Sequence, residues 1–270
     1  MEGPGLDQKQ IDACRALSKS IRRDVLKMTW EHKAAFIGTS FSCADILGVL
    51  YGGFYHQDDD LMIMSKGHGA SAWYAALAEA GAFDRERLFK EFNVSGFHMG
   101  VHPKRGSLPG IRTSTGSLGH GLGLAAGAAL AKKANNKSGR VYVILGDGEC
   151  NEGSVWEGFL FAHRFGLGNL TAVIDRNRLQ SYAHDDKVLD MGDLNEKLLA
   201  MGWDSVSVDG HDHAALWEAF ARAAQGRPMA IVANTVKGKG VSLFEDKVLW
   251  HYKWPEDEHY EQALKELEQA

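Results

Sequence analysis

Two short apolar runs, "VYVILGDG" at 141–148 and "LTAVIDRN" at 170–177, are separated by "SVWEGFLFAHRFG". Val155, Phe159 and Ala162 of that middle segment fall on one helical face. Strand, amphipathic helix and second strand in succession make one right-handed crossover, and crossovers demand a parallel sheet whose two faces are both covered. The pattern continues downstream, with a short helix at 193–201, strand "DSVSV", a helix over 212–225 and strand "PMAIVANT". The expected fold class is therefore α/β, a mainly parallel sheet with helices on both faces.

Upstream, Ile11, Cys14, Leu17, Ile21, Val25 and Met28 recur at spacings of three and four, which predicts a helix over 7–33. Residues 43–51 read as a second, short helix, 61–64 as a buried strand, and the segment after them as a helix closed by Gly81. The small-residue stretch "SLGHGLGLAAGAALAKKAN" suits a helix packed tightly on a sheet. Residues 92–116 carry two prolines, many glycines and no periodicity; a loop that long in a compact domain is usually functional. No repeat or low-complexity linker divides the 270 residues, so one domain is expected over 1–270, with an N-terminal helix within 1–35 and a helical tail at 253–270.

Composition narrows the function. A net charge of −5 without a basic stripe gives no case for nucleic acid. No apolar run reaches the roughly 20 residues of a membrane helix, and "MEGPGLDQKQ" has no apolar signal region. Cys14, Cys43 and Cys150 are widely spaced, without the pairing of a disulfide framework or a zinc knuckle. A soluble, cytoplasmic protein is expected.

Ligands of parallel α/β sheets bind beyond the carboxyl ends of the strands, and Asp147 sits at such an end between Gly146 and Gly148. Asn177 follows thirty positions later, at the end of the next strand. A carboxylate, an amide oxygen and a backbone carbonyl are hard donors that suit Mg²⁺ or Ca²⁺. Magnesium shares its coordination with phosphate oxygens, so the expectation is a metal-bridged diphosphate. "HDH" at 211–213 reads as the start of a helix with Asp212 near its N-cap rather than as a metal pair. "GHGLG" at 119–123 lacks the strand context of a dinucleotide fingerprint, and "KGKG" at 237–240 lacks the spacing of a P-loop, though its lysines suit anions.

"GDG" followed by an asparagine about thirty residues on resembles the thiamine diphosphate fingerprint. The blocks "SKGHGASAWYAALAEAG", "HPKRGSLPGIRTSTGSLGHGLGLAAGAALA", "GDGECNEGSVWEGFLFAHRFGLGNLTAVIDRNRLQ" and "TVKGKGVS…WH" resemble the transketolase family in order and register, over most of residues 36–251. The resemblance implies Asp147, Asn177 and the Leu179 carbonyl as metal ligands, with Mn²⁺ an acceptable substitute for Mg²⁺. It places Gly146, Gly148 and Glu149 at the diphosphate, and Gly116 and Leu118 beside the cofactor's pyrimidine. His68, His102 and His251 match histidines that line the substrate channel, His68 and His251 also touching cofactor. Glu152 and Glu157 match glutamates that link cofactor sites across a subunit interface, Glu152 with a catalytic part.

Two positions depart from the family. Phe36, in "AAFIGTSFS", stands where the family carries a histidine, so one polar channel contact is lost; His120 stands where full-length members often carry glutamine. The chain also ends after "EDEHYEQALKELEQA", with no counterpart of the family's pyrimidine-binding and C-terminal domains. The resemblance thus implies the N-terminal subunit of a split transketolase. Its partner would be a C-terminal subunit carrying the pyrimidine-binding domain, in an α2β2 assembly. Two alternatives stay open: an acyloin-forming or 2-oxoacid dehydrogenase-type subunit with another donor, or a non-catalytic scaffold.

Overall fold

A strand with apolar side chains on both faces cannot stand at a solvent boundary, and the central strands here are walled on each side. The computed structural model describes residues 7–223 and 226–269. Its strands β1 (Leu61–Met64), β2 (Val141–Gly146), β3 (Leu170–Arg176), β4 (Asp204–Asp209) and β5 (Met229–Asn234) form one sheet in the order β1-β2-β3-β5-β4. Every pairing is parallel. The register sets Gly146 against Asp175 and Arg176 against Asn234, so the three central strands finish side by side.

The period of two sorts the strand residues between two cores. Met62, Met64, Tyr142, Ile144, Val173 and Ile231 belong to one; Ile63, Val143, Leu145, Ala172, Ile174 and Val232 belong to the other. The first core is covered by α1 (Gln8–Glu31), α2 (Ile37–Ser42), α3 (Ala44–Val49) and α4 (Ala70–Glu79), with α5 (Glu86–Glu91) at its border. The second is covered by α6 (Gly121–Ala134) and α7 (Gly153–Arg164). A single turn, α8 (Asp185–Val188), follows β3; α9 (Leu194–Ala200) joins the second core, while α10 (His213–Ala221) and α11 (Asp257–Gln269) join the first. Helices thus lie on both faces, as the alternation predicts. No helix among the described residues is long and apolar enough to cross a membrane.

Local chemistry explains the helix limits. Asp7 caps α1 by accepting from the Lys9 N–H, and the predicted stripe is buried at Ile11, Cys14, Ile21, Val25 and Met28, with Leu17 partly so. Helix α6 presents Leu122, Ala125, Ala126 and Ala129 to the sheet; small side chains let its backbone come close. The predicted helix at 43–51 is α3 continued by a π turn at Leu50–Phe54. The predicted helix over 212–225 ends at Ala221, and its last two positions lie outside the described residues. Helix α2, "IGTSFS", has no helical signature in its sequence and forms because all six residues are buried. Residues 93–116 hold no helix or strand; Thr115 anchors the end of this loop by donating to the Met64 carbonyl at the tip of β1.

Candidate active site at the strand ends

The chain that leaves β2 is Asp147, and its carboxylate accepts from the Gly148 N–H at 2.8 Å and the Arg178 N–H at 2.5 Å. It is 7% exposed. Burial, then repulsion from Asp175, pushes its pKa up to about 6 against these two N–H groups. From the end of β3, the Asn177 side-chain oxygen accepts from the Leu179 N–H at 3.1 Å. The Asp147 carboxylate, Asn177 and Leu179 therefore meet at one cavity of about 290 Å³, with Gly146, Gly148 and Glu149 in its wall. Glu149 is already fully used within the chain: it accepts from Ser65 Oγ at 2.5 Å, Gly119 N at 2.8 Å and Gly146 N at 3.2 Å, which ties three loops together.

Two ammonium groups serve the same cavity. Lys66 follows β1 as Asp147 follows β2; it is fully buried, ion-paired to Asp175 and bonded to the Thr39 carbonyl at 3.0 Å. Burial alone would raise the Asp175 carboxyl, but Lys66 and the hydroxyls of Ser42 and Thr235 hold it below the usual carboxylate range. Lys237 donates to the Leu179 carbonyl at 2.8 Å and meets His251 Nδ1 at 2.9 Å. Burial, then Lys66, lowers its pKa to about 8. Sequence reasoning missed Lys66 and Asp175 and marked Lys237 only as suited to anions. The one available signal was positional, since each is the polar residue at or just past the end of an apolar strand.

The opposite wall is built from rings. His68, His102 and His251 come from three distant segments, and all three line the cavity with Phe36 and Tyr252. The His68 and His251 ring centres are 5.6 Å apart. Burial, reinforced by Lys66, drives His68 well below the ordinary imidazole range; burial lowers His102, and burial with Lys237 brings His251 to about 3. All three are neutral at pH 7. Because a lysine can only donate, His251 Nδ1 is the acceptor, and its proton sits on Nε2. Gly116 and Leu118 also line the cavity. Gly116 has φ 151°, and a Cβ there would lie 3.2 Å from His102 Cδ2, so glycine keeps this wall open.

Glu152 and Glu157 stand elsewhere. Both are exposed, Glu152 at the start of α7 and Glu157 within it, on the surface that also exposes Leu124, Leu160, Phe161 and Phe165. The "HDH" segment starts α10 as expected: Asp212 caps it through the Ala214 and Ala215 N–H groups. His211 and His213 turn inward to Asp45, at 2.7 and 3.4 Å.

The donor set suits a divalent cation carrying an anion. All the candidate ligands are oxygens, the Asp147 carboxyl is short of counter-charge, and the Thr39 hydroxyl in the cavity wall is buried without a partner. Fold and site together define an α/β protein with a cavity suited to a charged ligand at the carboxyl ends of parallel strands. The chain belongs to the transketolase N-terminal family: the family model described as "Transketolase, thiamine diphosphate binding domain" matches residues 7–263. It is 34% identical over 266 residues to one of the apulose-4-phosphate transketolase subunits of Actinobacillus succinogenes, covering 95% of this chain and 96% of that one. It is likewise 34% identical over 273 residues to the 6-deoxy-6-sulfo-D-fructose transketolase subunit SqwG of a Clostridium species, covering 97% and 98%. The solved transketolase from Leishmania mexicana superposes with a TM-score of 0.87 at 26% identity, over 94% of this chain and 41% of its own. The chain thus spans about two fifths of that transketolase.

Proposed function

We propose that this chain is the N-terminal, diphosphate-binding subunit of a two-component, cytoplasmic transketolase, a single domain that transfers a two-carbon ketol unit from a ketose to an aldehyde once its partner is bound. One observation carries the reading: oxygen donors, buried ammonium groups and neutral imidazoles converge on one strand-end cavity. The match of this chain, nearly end to end, to relatives named as transketolase subunits supports the need for a partner.

In this reading Asp147, Asn177 and the Leu179 carbonyl hold Mg²⁺, and Ca²⁺ or Mn²⁺ would satisfy the same oxygens. The backbone at Gly146 and Gly148 and the Lys237 ammonium receive the diphosphate, while Gly116 and Leu118 flank the pyrimidine. Thiamine diphosphate, when bound, supplies the nucleophilic carbon that carbon–carbon cleavage requires. The neutral imidazoles do the rest on this side. His251 donates through Nε2, and His68 and His102 accept or donate to substrate hydroxyls and pass a proton as the fragments separate. Glu152 and Glu157, on the exposed α7 surface beside apolar side chains, face the partner in an α2β2 assembly and couple its cofactor sites.

Phe36 favours a variant of this reading, a donor other than the common sugar phosphates, because it puts an apolar ring where the channel would bind a hydroxyl. The test is to tag the chain in its own host, purify it gently and analyse what co-elutes. A stoichiometric second chain with bound thiamine diphosphate and magnesium is expected. A chain that emerges alone and gives no calorimetric signal with thiamine diphosphate and Mg²⁺ overturns the proposal.

A further inference from the structure

Phe36 occupies the centre of the ring wall. Its ring centre lies 5.8 Å from His68, 5.4 Å from His102 and 5.3 Å from His251, each met edge to face, and 6.4 Å from Tyr252. The side chain is half-buried and lines the same cavity as Asp147 and Lys237. Its backbone is left-handed, φ 74°, a conformation that bulky residues rarely adopt. That conformation is locked: the Phe36 N–H donates to the His251 carbonyl at 3.1 Å, and its own carbonyl accepts from the Ser40 N–H at 3.2 Å. Strained backbone conformations cluster at functional sites, and this one sets a side chain in the cavity wall.

The consequence is chemical. Phe36 offers neither donor nor acceptor, and the ring is hemmed in by its neighbours. A ligand hydroxyl pressed against it gives up water and gains nothing, whereas a methyl or methylene group there gains contact. An apolar wall of this kind discriminates against an added hydroxyl by up to about 100-fold.

We propose that Phe36 is a specificity-determining residue, and that the substrate it selects carries a deoxygenated carbon, a methyl or methylene, where it meets the ring. The inference rests on the transketolase reading and deepens it by naming the substrate class. It is tested in the assembled complex with two matched pairs that differ by one hydroxyl outside the transferred ketol unit: D-xylulose against 5-deoxy-D-xylulose as donors, and glycolaldehyde against acetaldehyde as acceptors. Phe36→His and Phe36→Tyr each put a polar atom at the wall; histidine tolerates the left-handed backbone, and tyrosine keeps the ring packing. Both variants should shift the kcat/KM ratio of at least one pair toward its hydroxylated member, by about 10- to 100-fold.

A merely structural defect lowers both members of a pair together and leaves their ratio alone. Calorimetric affinity for thiamine diphosphate is read beside the ratios, since a change on the cofactor side also lowers both members of a pair alike. Ratios that move less than about threefold in both pairs, or move toward the deoxygenated member, overturn the inference while leaving the transketolase reading standing. A wild-type complex that binds no cofactor, or that turns over none of the four substrates, overturns both.

Discussion

Replacing Asp147 with asparagine tests whether the candidate metal site is held at the expense of stability. In the free chain, ionised Asp147 is 7% exposed and its counter-charges are two backbone N–H groups and a more distant Lys66. Its folded pKa of about 6 stands above the ordinary 3.8. For an acid raised on folding, the folded state binds the extra proton, so stability from this group is fully present below pH 3.8 and is lost as pH rises through about 6. The full loss is about 3 kcal/mol, and between pH 5 and 7.5 it is about 1.4 kcal/mol. Asparagine removes the titration. It also loses an acceptor for one N–H group, which costs about 1 kcal/mol at every pH.

Urea unfolding of the metal-free chain reads the difference directly. Asp147→Asn should gain about 1.4 kcal/mol on wild type between pH 5 and 7.5, and should be the more stable of the two at the upper end. A difference that stays flat to within about 0.5 kcal/mol across that range refutes the argument that this carboxylate is under-compensated. In the assembled complex the order reverses. Wild type gains about 2.7 kcal/mol from ligand at a hundred times Kd, and the variant, short of a ligand charge, gains little.

Three further outcomes follow from the same geometry. Lys66→Met strands Asp175 as a buried charge with only neutral donors, the hydroxyls of Ser42 and Thr235 and the Asn177 amide; the chain should lose about 3 kcal/mol in denaturant titration, and a loss under about 1 kcal/mol contradicts the pairing. Lys237→Met removes the cation beside His251 Nδ1, so the His251 pKa should rise from about 3 in a proton NMR titration. An acid-side stability loss that begins near pH 6.5 in wild type should shrink accordingly, and an unmoved His251 would leave burial and Lys66 as the causes and remove Lys237 from them. Gly67→Ala places a Cβ 2.8 Å from the Gly116 nitrogen, a backbone atom that cannot swing aside. It should cost about 1–3 kcal/mol and weaken thiamine diphosphate binding by the complex; a variant with wild-type stability and affinity shows that this wall can yield.

Short-range periodicity made much of this molecule legible along the chain. Alternating apolar strands and one-sided helices define a parallel sheet with two cores, and the parallel rule brings the ends of β2 and β3, hence Asp147 and Asn177, to one edge. The same logic reached Gly146 and Gly148, while the resemblance to the family pointed to Leu179, His68, His102 and His251. Helix α2 was illegible, because "IGTSFS" is helical only by virtue of its burial. So was the Lys66–Asp175 pairing: the two residues are 109 positions apart, and a place at a strand end does not show which distant residue will meet it. The meaning of Phe36 lay further out of reach. Its position in the chain shows a missing histidine, but only the folded molecule sets it among rings from residues 68, 102 and 251. Strands and helices are chosen by neighbours along the chain, whereas charge compensation and the shape of a cavity wall are chosen by neighbours in space.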